Sequence, residues 1–392
     1  MNERISAFLA ERIAANDFPS AVYLVAERGE IVFHDALGNA VVTPVVIPAR
    51  LDTIYDLASL TKPLVTGLLA ASKIEGGEIG LDTTLGSASP YFDGSAVSDL
   101  TLRQLATHTS GLPSWIPLYL EARSNKPKDI AVVIDGQGLR TNPEVDYSDL
   151  NFISLAYLMG DDWLDWAFDH SVVDRLGFNR TSFDPLSQGI ARIEIAASEM
   201  GNEYEKQTCI EKGYLPSQVQ KPDREGGRNI DFDSYALTNA RASANLRTRQ
   251  IWGEVHDGNA YFLGGIAGHA GLFSTAEEVF KIALQFLPEY TNVLKPETCE
   301  LFRTNFTPGM NEDRSFAFQL ASTKDSTAGT RMSPESFGHN GFTGTSLWID
   351  PAMDRIFVLL TNRTHAHPLP FVNINSVRRR FHDLAIEELQ KK

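Results

Sequence analysis

Ser59-Leu60-Thr61-Lys62 is the only S-x-x-K tetrapeptide in the chain, and it stands directly before an apolar helical pattern that begins at Leu64. Residues three apart share one helix face, so the hydroxyl and the amine are predicted to meet. A serine becomes a good nucleophile when a neighbour removes its proton, and a lysine can do this once burial and positive neighbours lower its pKa from about 10.4. A helix start also offers free N–H groups, so the Ser59 amide is a candidate donor to an oxyanion. Taken alone, the tetrapeptide is more often a capped, solvated helix start.

Two later segments add groups that suit the same chemistry. Tyr147 stands in a polar turn ahead of a helical pattern that begins at Phe152, and a phenol beside a lysine can shuttle protons. Residues 337–344 precede a strand pattern and hold glycines, which are typical of places where a substrate approaches the backbone closely. The ordinary alternatives are a tyrosine near a helix cap and a hairpin turn.

The composition is that of a globular protein, with 392 residues, 43% hydrophobic and 22% charged. A net charge of −15 argues against a nucleic-acid partner, and the one basic run, Arg378-Arg379-Arg380, is interpreted as the solvated face of a terminal helix. Cys209 and Cys299 form no C-x-x-C pair, so neither a disulfide framework nor a thiolate metal site is expected. No secretory signal pattern and no apolar run of membrane-spanning length are visible, which predicts a cytoplasmic protein, although a trimmed secreted form would look the same.

The two ends of the chain carry matching patterns. A helical pattern from Ile5 to Ile13 precedes a predicted hairpin over residues 21–33. A second predicted hairpin, over residues 346–360, precedes a helical pattern from Ile374 to Ala385. These elements predict one α/β lobe built from residues 1–57 and 315–392.

Residues 58–314 are predicted to form a mostly helical lobe. Two capping-box pairs, Thr101 with Gln104 and Ser274 with Glu277, indicate helix starts. Residues 202–229 are rich in polar residues, Gly and Pro and show weak periodicity, so we predict a long loop or lid there.

With these segments in view, the sequence resembles the serine β-lactamase and penicillin-binding-protein superfamily, in the branch of class C enzymes, D-peptidases and related esterases. Its three motifs are S-x-x-K, then Y-x-N or Y-S-x, then K-T-G or H-x-G. Here they are Ser59-Leu60-Thr61-Lys62, Tyr147-Ser148-Asp149 and His339-Asn340-Gly341, in the same order. The resemblance implies an α/β (α+β) fold of the β-lactamase/transpeptidase type: an antiparallel sheet flanked by the N- and C-terminal helices, plus a mostly helical lobe, with the active site in the cleft between them.

The resemblance also implies roles for single residues. Ser59 would be the acylated nucleophile, Lys62 its base and Tyr147 the relay of the proton to the leaving group, while Lys62 and Tyr147 both stay open as the principal base. The oxyanion hole would comprise the backbone N–H groups of Ser59 and Phe342. The expected substrate-binding residues are Asp149, His339, Asn340, Gly341 and Trp115. For Trp115 the alternative is a place in the core of the helical lobe.

Two positions depart from the pattern of lactam-handling relatives. Asp149 stands where these carry Asn, and an ionised Asp cannot donate a hydrogen bond to an acylamide carbonyl. His339 stands where many carry Lys, and a neutral His attracts a carboxylate less strongly. We therefore predict a serine hydrolase that forms an acyl-enzyme with carboxylic esters or amides, with esterase-like activity on small acyl groups.

Several alternatives to this function remain open. Within enzymes they are a D-amino-acid peptidase or amidase, an acyltransferase and a weak β-lactamase. Outside enzymes the alternative is a penicillin-binding sensor or binding module that is acylated without turnover. The partners expected are small acyl esters, amides or short D-peptides, with no nucleic acid.

The remaining histidines suggest no separate chemistry. His256, Asp257 and His269 cluster in one region of the sequence, and His365 and His367 follow the last strand pattern. No metal-ligand motif surrounds them, so they are expected to make loop hydrogen bonds or to line the cleft, and neither a metal nor a cofactor is expected. For His108, likewise, a structural role is expected.

Overall fold

The computed structural model describes residues 1–140, 144–160, 164–216 and 240–391. The strands are β1 (Ser20–Glu27), β2 (Glu30–Val41), β3 (Ile47–Pro48), β4 (Tyr55–Asp56), β5 (Ala197–Met200), β6 (Gln250–Trp252), β7 (Phe273–Ser274), β8 (Gln319–Leu320), β9 (Phe337–Asn340), β10 (Ser346–Asp350) and β11 (Arg355–Thr361). The α-helices are α1 (Glu3–Ala14), α2 (Leu68–Glu75), α3 (Leu85–Ala88), α4 (Leu102–Ala106), α5 (Leu118–Glu121), α6 (Pro127–Asp135), α7 (Asp149–Met159), α8 (Leu164–Phe168), α9 (Asp174–Leu176), α10 (Glu203–Glu211), α11 (Gly258–Phe262), α12 (Ala276–Ala283) and α13 (Asn375–Leu389).

Seven strands form one antiparallel sheet in the order β3-β2-β1-β11-β10-β9-β8. The two predicted hairpins are confirmed as β1–β2 and β10–β11. They meet at the centre of the sheet, where Ala21 lies opposite Thr361 and Glu27 lies opposite Arg355. The sheet therefore takes its strands from both ends of the chain, as the fold prediction required.

Both faces of the central strand β1 are buried. Side chains along a strand point alternately to its two faces, and each of the two sets joins a different core cluster. Tyr23 and Val25 of β1 belong to a core cluster with side chains of α1 and α13, the two terminal helices. Val22 and Leu24 belong to a larger cluster shared with the helices of the middle of the chain. Most helices lie between residues 58 and 314, and the lobe boundaries at residues 57/58 and 314/315 stay predictions.

Both predicted helix starts are confirmed, but the capping residue predicted for the second is wrong by one position. Thr101 and Gln104 form a reciprocal capping box at the start of α4. Ser274 does not cap a helix, because it pairs with Tyr55 in a short two-stranded sheet. The N-cap of α12 is Thr275, whose side chain accepts a hydrogen bond from the backbone N–H of Glu278.

The predicted loop over residues 202–229 is partly wrong. Its first part forms α10, whose first turn holds Glu203 and Glu205. This helix was not predicted because its apolar residues do not recur at helical spacing. Residues 217–229 lie outside the described residues. In the described parts of the chain, none of the helices combines the length and apolar character needed to cross a membrane.

Candidate active site

The S-x-x-K segment forms a sharp helical entry. A 3-10 turn, Ala58–Leu60, leads into a π-helical segment, Lys62–Gly67, and then into α2. Ala58, directly before the serine, has a φ of +48°, a left-handed conformation that non-glycine residues rarely adopt. The Asp56 carboxylate stabilises this conformation, since it accepts hydrogen bonds from the Ala58 N–H at 2.8 Å and the His256 N–H at 2.7 Å.

Lys62 lies beneath Ser59 with its side chain 0% exposed. Its Nζ donates to Ser59 Oγ at 3.0 Å, to Asp149 Oδ1 at 2.7 Å and to the backbone carbonyl of His269 at 3.1 Å. Burial alone would lower the pKa of Lys62, but the charges of Asp149 and Tyr147 and the hydrogen bonds to them outweigh burial and leave the pKa above its ordinary value. The expectation of a lowered pKa is therefore wrong for this state, because it overlooked Asp149 as the counter-ion.

Tyr147 joins the same group of side chains. Its ring lies 4.9 Å from Lys62 Nζ, measured to the ring centroid. Burial raises the pKa of its phenol, Lys62 lowers it, Asp149 raises it, and the net direction is upward. The ring packs against His108, at 4.5 Å between ring centroids, and against His339, at 5.7 Å.

His108 holds the turn that carries Tyr147. It is 1% exposed and has a φ of +59°. Its Nδ1 lies 3.0 Å from the backbone N of Ser148, which donates the hydrogen bond, and 3.1 Å from the side-chain amide of Asn151. The structural role expected for His108 thus includes orientation of the Tyr147 ring.

The third motif, His339-Asn340-Gly341, begins with the last two residues of strand β9. His339 is buried, and burial together with the charges of Lys62 and Arg314 lowers the pKa of its ring well below the ordinary value, so the ring is neutral. Neither Ser59 nor Phe342 has a partner for its backbone N–H within the described residues. Such unpaired amides are what an oxyanion hole requires.

Gly341 of this motif and Gly338, directly before it, allow neighbouring parts of the protein to pack closely. A Cβ on Gly341 would lie 1.9 Å from Thr345 Oγ1 and 2.6 Å from the Leu57 carbonyl oxygen. A Cβ on Gly338 would lie 2.2 Å from the ring of Trp348. The expectation that these glycines make room for substrate is thus incomplete, because neighbouring chain segments already fill the space.

A cleft of about 560 Å³ opens over Ser59. Every predicted site residue except the buried Lys62 lines it: Ser59, Trp115, Tyr147, Asp149, His339, Asn340, Gly341 and Phe342. Trp115 borders the cleft and is partly buried against the cluster around Tyr119 and Cys209, so both interpretations of it describe part of its position. Tyr204, Glu205 and Thr208 bring α10 to the same cleft.

The interpretation of Arg378-Arg379-Arg380 as a solvated helix face is wrong for Arg378. It is 5% exposed, lines the cleft and donates through Nη2 to the backbone carbonyls of Gly341 at 2.8 Å and Thr345 at 2.9 Å. Asn375, three residues earlier, also lines the cleft. Residues three apart share one helix face, and this spacing was the feature of the sequence that could have placed Arg378 and Asn375 together.

Two further carboxylates, Asp257 and Glu205, line the cleft. The sequence did not predict either as a site residue. Asp257 lines the cleft, and its Oδ1 lies 3.0 Å from Nε2 of the buried His269. The side-chain donor atoms of Asp149, Asp257 and His269 all lie within 4.8 Å of one another. Glu205 accepts hydrogen bonds from the Gly258 N–H at 2.6 Å and the Tyr119 hydroxyl at 3.0 Å. Glu205 lies in a polar helix without a regular apolar face. The sequence therefore contains no pattern that predicts its approach to Asp257 in the cleft.

The protein-family model described as Beta-lactamase matches residues 5–378. The chain belongs to the beta-lactamase family. Membership places it among hydrolases of the serine hydrolase superfamily.

The names of similar proteins refer to different activities. A protein of Escherichia coli (strain K12) with the provisional name D-alanyl-D-alanine carboxypeptidase is 28% identical over 385 residues, covering 89% of this chain and 79% of its own. The structure of EstCE1, described as a hydrolase with promiscuous acyltransferase activity, has a TM-score of 0.67 at 19% identity and covers 97% of both chains. The structure of a class C beta-lactamase from Rhodobacter sphaeroides has a TM-score of 0.68 at 16% identity, covering 99% of this chain and 100% of that one. At these identities the two structures support the β-lactamase/transpeptidase fold, which was predicted from the sequence.

Proposed function

We propose that the protein hydrolyses carboxylic esters and amides through an acyl-enzyme on Ser59. The observation that carries this proposal is the hydrogen bond of 3.0 Å between the buried Lys62 ammonium and Ser59 Oγ, at the floor of a cleft lined also by Tyr147. A nucleophile within hydrogen-bond reach of its activating group, with a third group that orients the latter, is the geometry of covalent catalysis. Asp149 supplies the third group.

Lys62 and Tyr147 would share the proton work. Ser59 loses its proton as Oγ attacks the carbonyl carbon, and the proton is passed through Tyr147 and Lys62 to the leaving alcohol or amine. Water then attacks the acyl-enzyme, with the same pair as its base. Because Lys62 and Tyr147 affect each other's pKa, their two titrations belong to the pair rather than to one side chain.

The oxyanion of each tetrahedral intermediate would be held by the free N–H groups of Ser59 and Phe342. The two segments that carry them are joined by hydrogen bonds from Thr343 Oγ1 to the Asp56 carbonyl at 2.8 Å and from Thr345 Oγ1 to the Leu57 carbonyl at 3.0 Å. Fixed donors stabilise developing charge without reorganisation, and loss of one such donor in other enzymes costs about 3 to 4 kcal/mol.

Asp149 and His339 favour esters and small amides over β-lactams in this proposal. The Asp149 carboxylate is bonded to Lys62 and cannot donate to an acylamide carbonyl. The neutral His339 supplies no positive charge for the carboxylate of a lactam.

Hydrolysis of short D-peptides is the second candidate, and two observations favour it. One is the provisional name of the Escherichia coli relative, D-alanyl-D-alanine carboxypeptidase. The other is the presence of Arg314, Arg363 and Arg378 in the cleft lining, where guanidinium groups could attract a peptide carboxylate.

The test is intact-protein mass after incubation with p-nitrophenyl acetate, a fluorophosphonate and a penicillin in separate samples, alongside release of p-nitrophenol. We expect continuous ester turnover, a fluorophosphonate adduct and slow or absent penicillin labelling. Ser59→Ala should abolish turnover and adducts, and Ser187→Ala, an exposed serine, should leave both unchanged.

Two outcomes would contradict the proposal. Near-normal turnover in Ser59→Ala would remove Ser59 from the mechanism. A single equivalent of p-nitrophenol with a stable penicillin adduct would identify a sensor that is acylated without turnover.

A further inference from the structure

We infer that Asp56 and His256 are positioning residues for the oxyanion hole. Asp56 would hold the backbone that carries the Ser59 N–H, and His256 would hold the ring of Phe342, whose N–H is the second donor. The inference rests on the proposed function and adds to it two residues that lie outside the three motifs.

Asp56 is a buried carboxylate whose two oxygens accept from different segments of the chain. The residue is 6% exposed. Its Oδ1 accepts from the Ala58 N–H at 2.8 Å, and its Oδ2 accepts from the His256 N–H at 2.7 Å. Ala58 stands directly before Ser59, so the first hydrogen bond restrains the residue whose carbonyl carbon bears the Ser59 N–H. The second fixes a residue 200 positions away in the sequence.

His256 is held at three points. Its backbone N–H donates to Asp56, and its carbonyl oxygen accepts from Arg247 Nη2 at 2.7 Å. Its ring Nε2 lies 2.7 Å from Glu199 Oε2, and Nε2 donates this hydrogen bond because a carboxylate can only accept. Arg247 and Glu199 are themselves buried. These contacts fix the place and the plane of the imidazole.

The imidazole packs on the side chain of the second oxyanion donor. The rings of His256 and Phe342 are stacked, with 5.5 Å between their centroids and 18° between their planes. Arg363 contacts the same residue twice: its guanidinium carbon lies 4.9 Å from the centroid of the Phe342 ring, and its Nε donates to the Phe342 carbonyl at 2.6 Å. Phe342 is thus held by its ring and its carbonyl, while its N–H has no partner within the described residues.

The contacts of Asp56 close a circuit around the two donors. Its backbone carbonyl accepts from Thr343 Oγ1 at 2.8 Å, and Thr343 directly follows Phe342. The circuit therefore runs from Asp56 to His256, from the His256 ring to Phe342, and through Thr343 back to Asp56. Such a closed set of contacts fixes the two N–H groups relative to each other, which is the preorganisation that an oxyanion hole needs.

The circuit includes features that are costly to the fold. Burial raises the pKa of Asp56, and the hydrogen bonds from His256 and Ala58 offset only part of this effect, so a carboxylate here is expensive to bury. The φ of +48° at Ala58 is a second cost. Strained backbone and groups with perturbed pKa values are typical of functional sites. Their meeting beside Ser59 favours a role in positioning over a role in stability alone.

The experiment compares p-nitrophenyl acetate with p-nitrophenyl thionoacetate, in which sulfur replaces the carbonyl oxygen. In both, Ser59 Oγ bonds to the carbonyl carbon, the oxygen or sulfur takes the negative charge, p-nitrophenol leaves with the proton, and water releases acetic or thioacetic acid. Sulfur is larger and a weaker hydrogen-bond acceptor, so fixed N–H donors favour the oxygen substrate. We expect the oxygen-to-sulfur ratio of kcat/KM for the wild type to exceed the ratio for hydroxide in water by at least about tenfold.

Single variants test each positioning residue. His256→Ala and Asp56→Asn should each lower the oxygen-to-sulfur ratio by about tenfold, because a displaced donor loses part of the effect of a deleted one, which is about 10²- to 10³-fold. Since the ratio compares two substrates of one preparation, a loss of folded protein cancels.

Matched controls come from buried residues outside the circuit. Phe286 is a buried ring that packs on Phe302 and Phe318, and Asp350 is a buried carboxylate that accepts from the Ser333 hydroxyl at 2.7 Å. Phe286→Ala and Asp350→Asn should lower stability and leave the oxygen-to-sulfur ratio unchanged.

A double-mutant cycle separates an action of His256 through Phe342 from a direct contact with the substrate, since His256 also lines the cleft. Phe342→Ala removes the ring but keeps the backbone N–H, and it should itself lower the ratio. His256→Ala should then have no further effect on the ratio in the Phe342→Ala background. The same loss in both backgrounds would overturn the action through Phe342.

The outcomes separate the inference from the proposed function. If p-nitrophenyl acetate turnover depends on Ser59 while His256→Ala or Asp56→Asn keeps the wild-type ratio, the positioning role of that residue is overturned and the hydrolase proposal stands. A wild-type ratio equal to that of hydroxide would overturn both roles in the same way. If no ester shows Ser59-dependent turnover, the proposed function fails and the inference fails with it.

Discussion

Burial and the Asp149 carboxylate have opposite effects on the pKa of Lys62, and Asp149 has a large part in the net upward direction. Burial favours the neutral amine, whereas the carboxylate at 2.7 Å favours the ammonium. The same carboxylate raises the pKa of Tyr147. One side chain thus controls the proton affinity of both candidate bases.

Asp149→Asn should therefore shift the acid limb of kcat/KM for p-nitrophenyl acetate to lower pH. Removing the negative charge lowers the pKa of Lys62 and Tyr147 together, so the basic form of the pair appears at lower pH whichever of them is the base. A neighbouring charge of this kind is worth about 1 to 3 pKa units. The measurement is the pH profile of kcat/KM with this substrate, which carries no amine.

Asp146→Asn is the matched control, because Asp146 lies three residues earlier and pairs with Arg140 at the surface. Its profile should match the wild type. An unchanged or upward-shifted acid limb in Asp149→Asn would show that Asp149 does not set these pKa values.

At the residue scale, sequence reasoning placed the groups that lie in motifs and missed their counter-ions. Ser59, Lys62 and Tyr147 were predicted to converge because the three motifs occur in order, and the structure brings them together. The pairing of Lys62 with Asp149 and of His269 with Asp257 depends on tertiary distances that spacing along the chain does not encode. The roles of these residues stay predictions until they are tested.

Among the elements, the helical entry that carries Ser59 contains a strained residue, Ala58. A left-handed conformation costs a residue such as Ala58 about 1 to 2 kcal/mol, and the hydrogen bond to Asp56 offsets part of it. Strained backbone that the surroundings impose is typical of functional sites. No pattern in the sequence marks it, because alanine is an ordinary helix former.

Ala58→Gly should change the free energy of unfolding by less than about 1 kcal/mol, because the relief of strain offsets the lost methyl group and the added chain entropy. Ala70→Gly, at a buried position of α2, should destabilise by about 1.5 to 2 kcal/mol, since it has the same losses without any relief. Chemical denaturation measures both. Equal destabilisation would mean that Ala58 is not strained.

For the whole molecule, the sheet separates two cores and both ends of the chain cover one of them. The outer core is formed by β1, β11, α1 and α13, with Leu384 of α13 among its buried residues. Hydrophobic periodicity predicted α1 and α13 because each helix buries one regular face, whereas β1 and β11 were predicted from continuous apolar runs, which are buried on both faces. It failed for α10, whose polar sequence has no such face.

Leu384→Ala should destabilise the protein by about 2 to 5 kcal/mol, the usual result of emptying a packed leucine site. Leu51→Ala is the matched control: Leu51 is 47% exposed, and its truncation should change stability by less than about 0.5 kcal/mol. Guanidinium unfolding compares the two variants with the wild type. Similar small effects would show that α13 contributes little to the outer core.

The pairing of β1 with β11 also has a consequence for biosynthesis. β11, the central partner of β1, is synthesised more than three hundred residues after it, as the register of Ala21 with Thr361 shows. Until then the first hairpin exposes an apolar strand edge, a template for pairing with other chains. Codon changes that slow translation between β1 and β11 should therefore prolong this exposure and increase aggregation of the nascent chain.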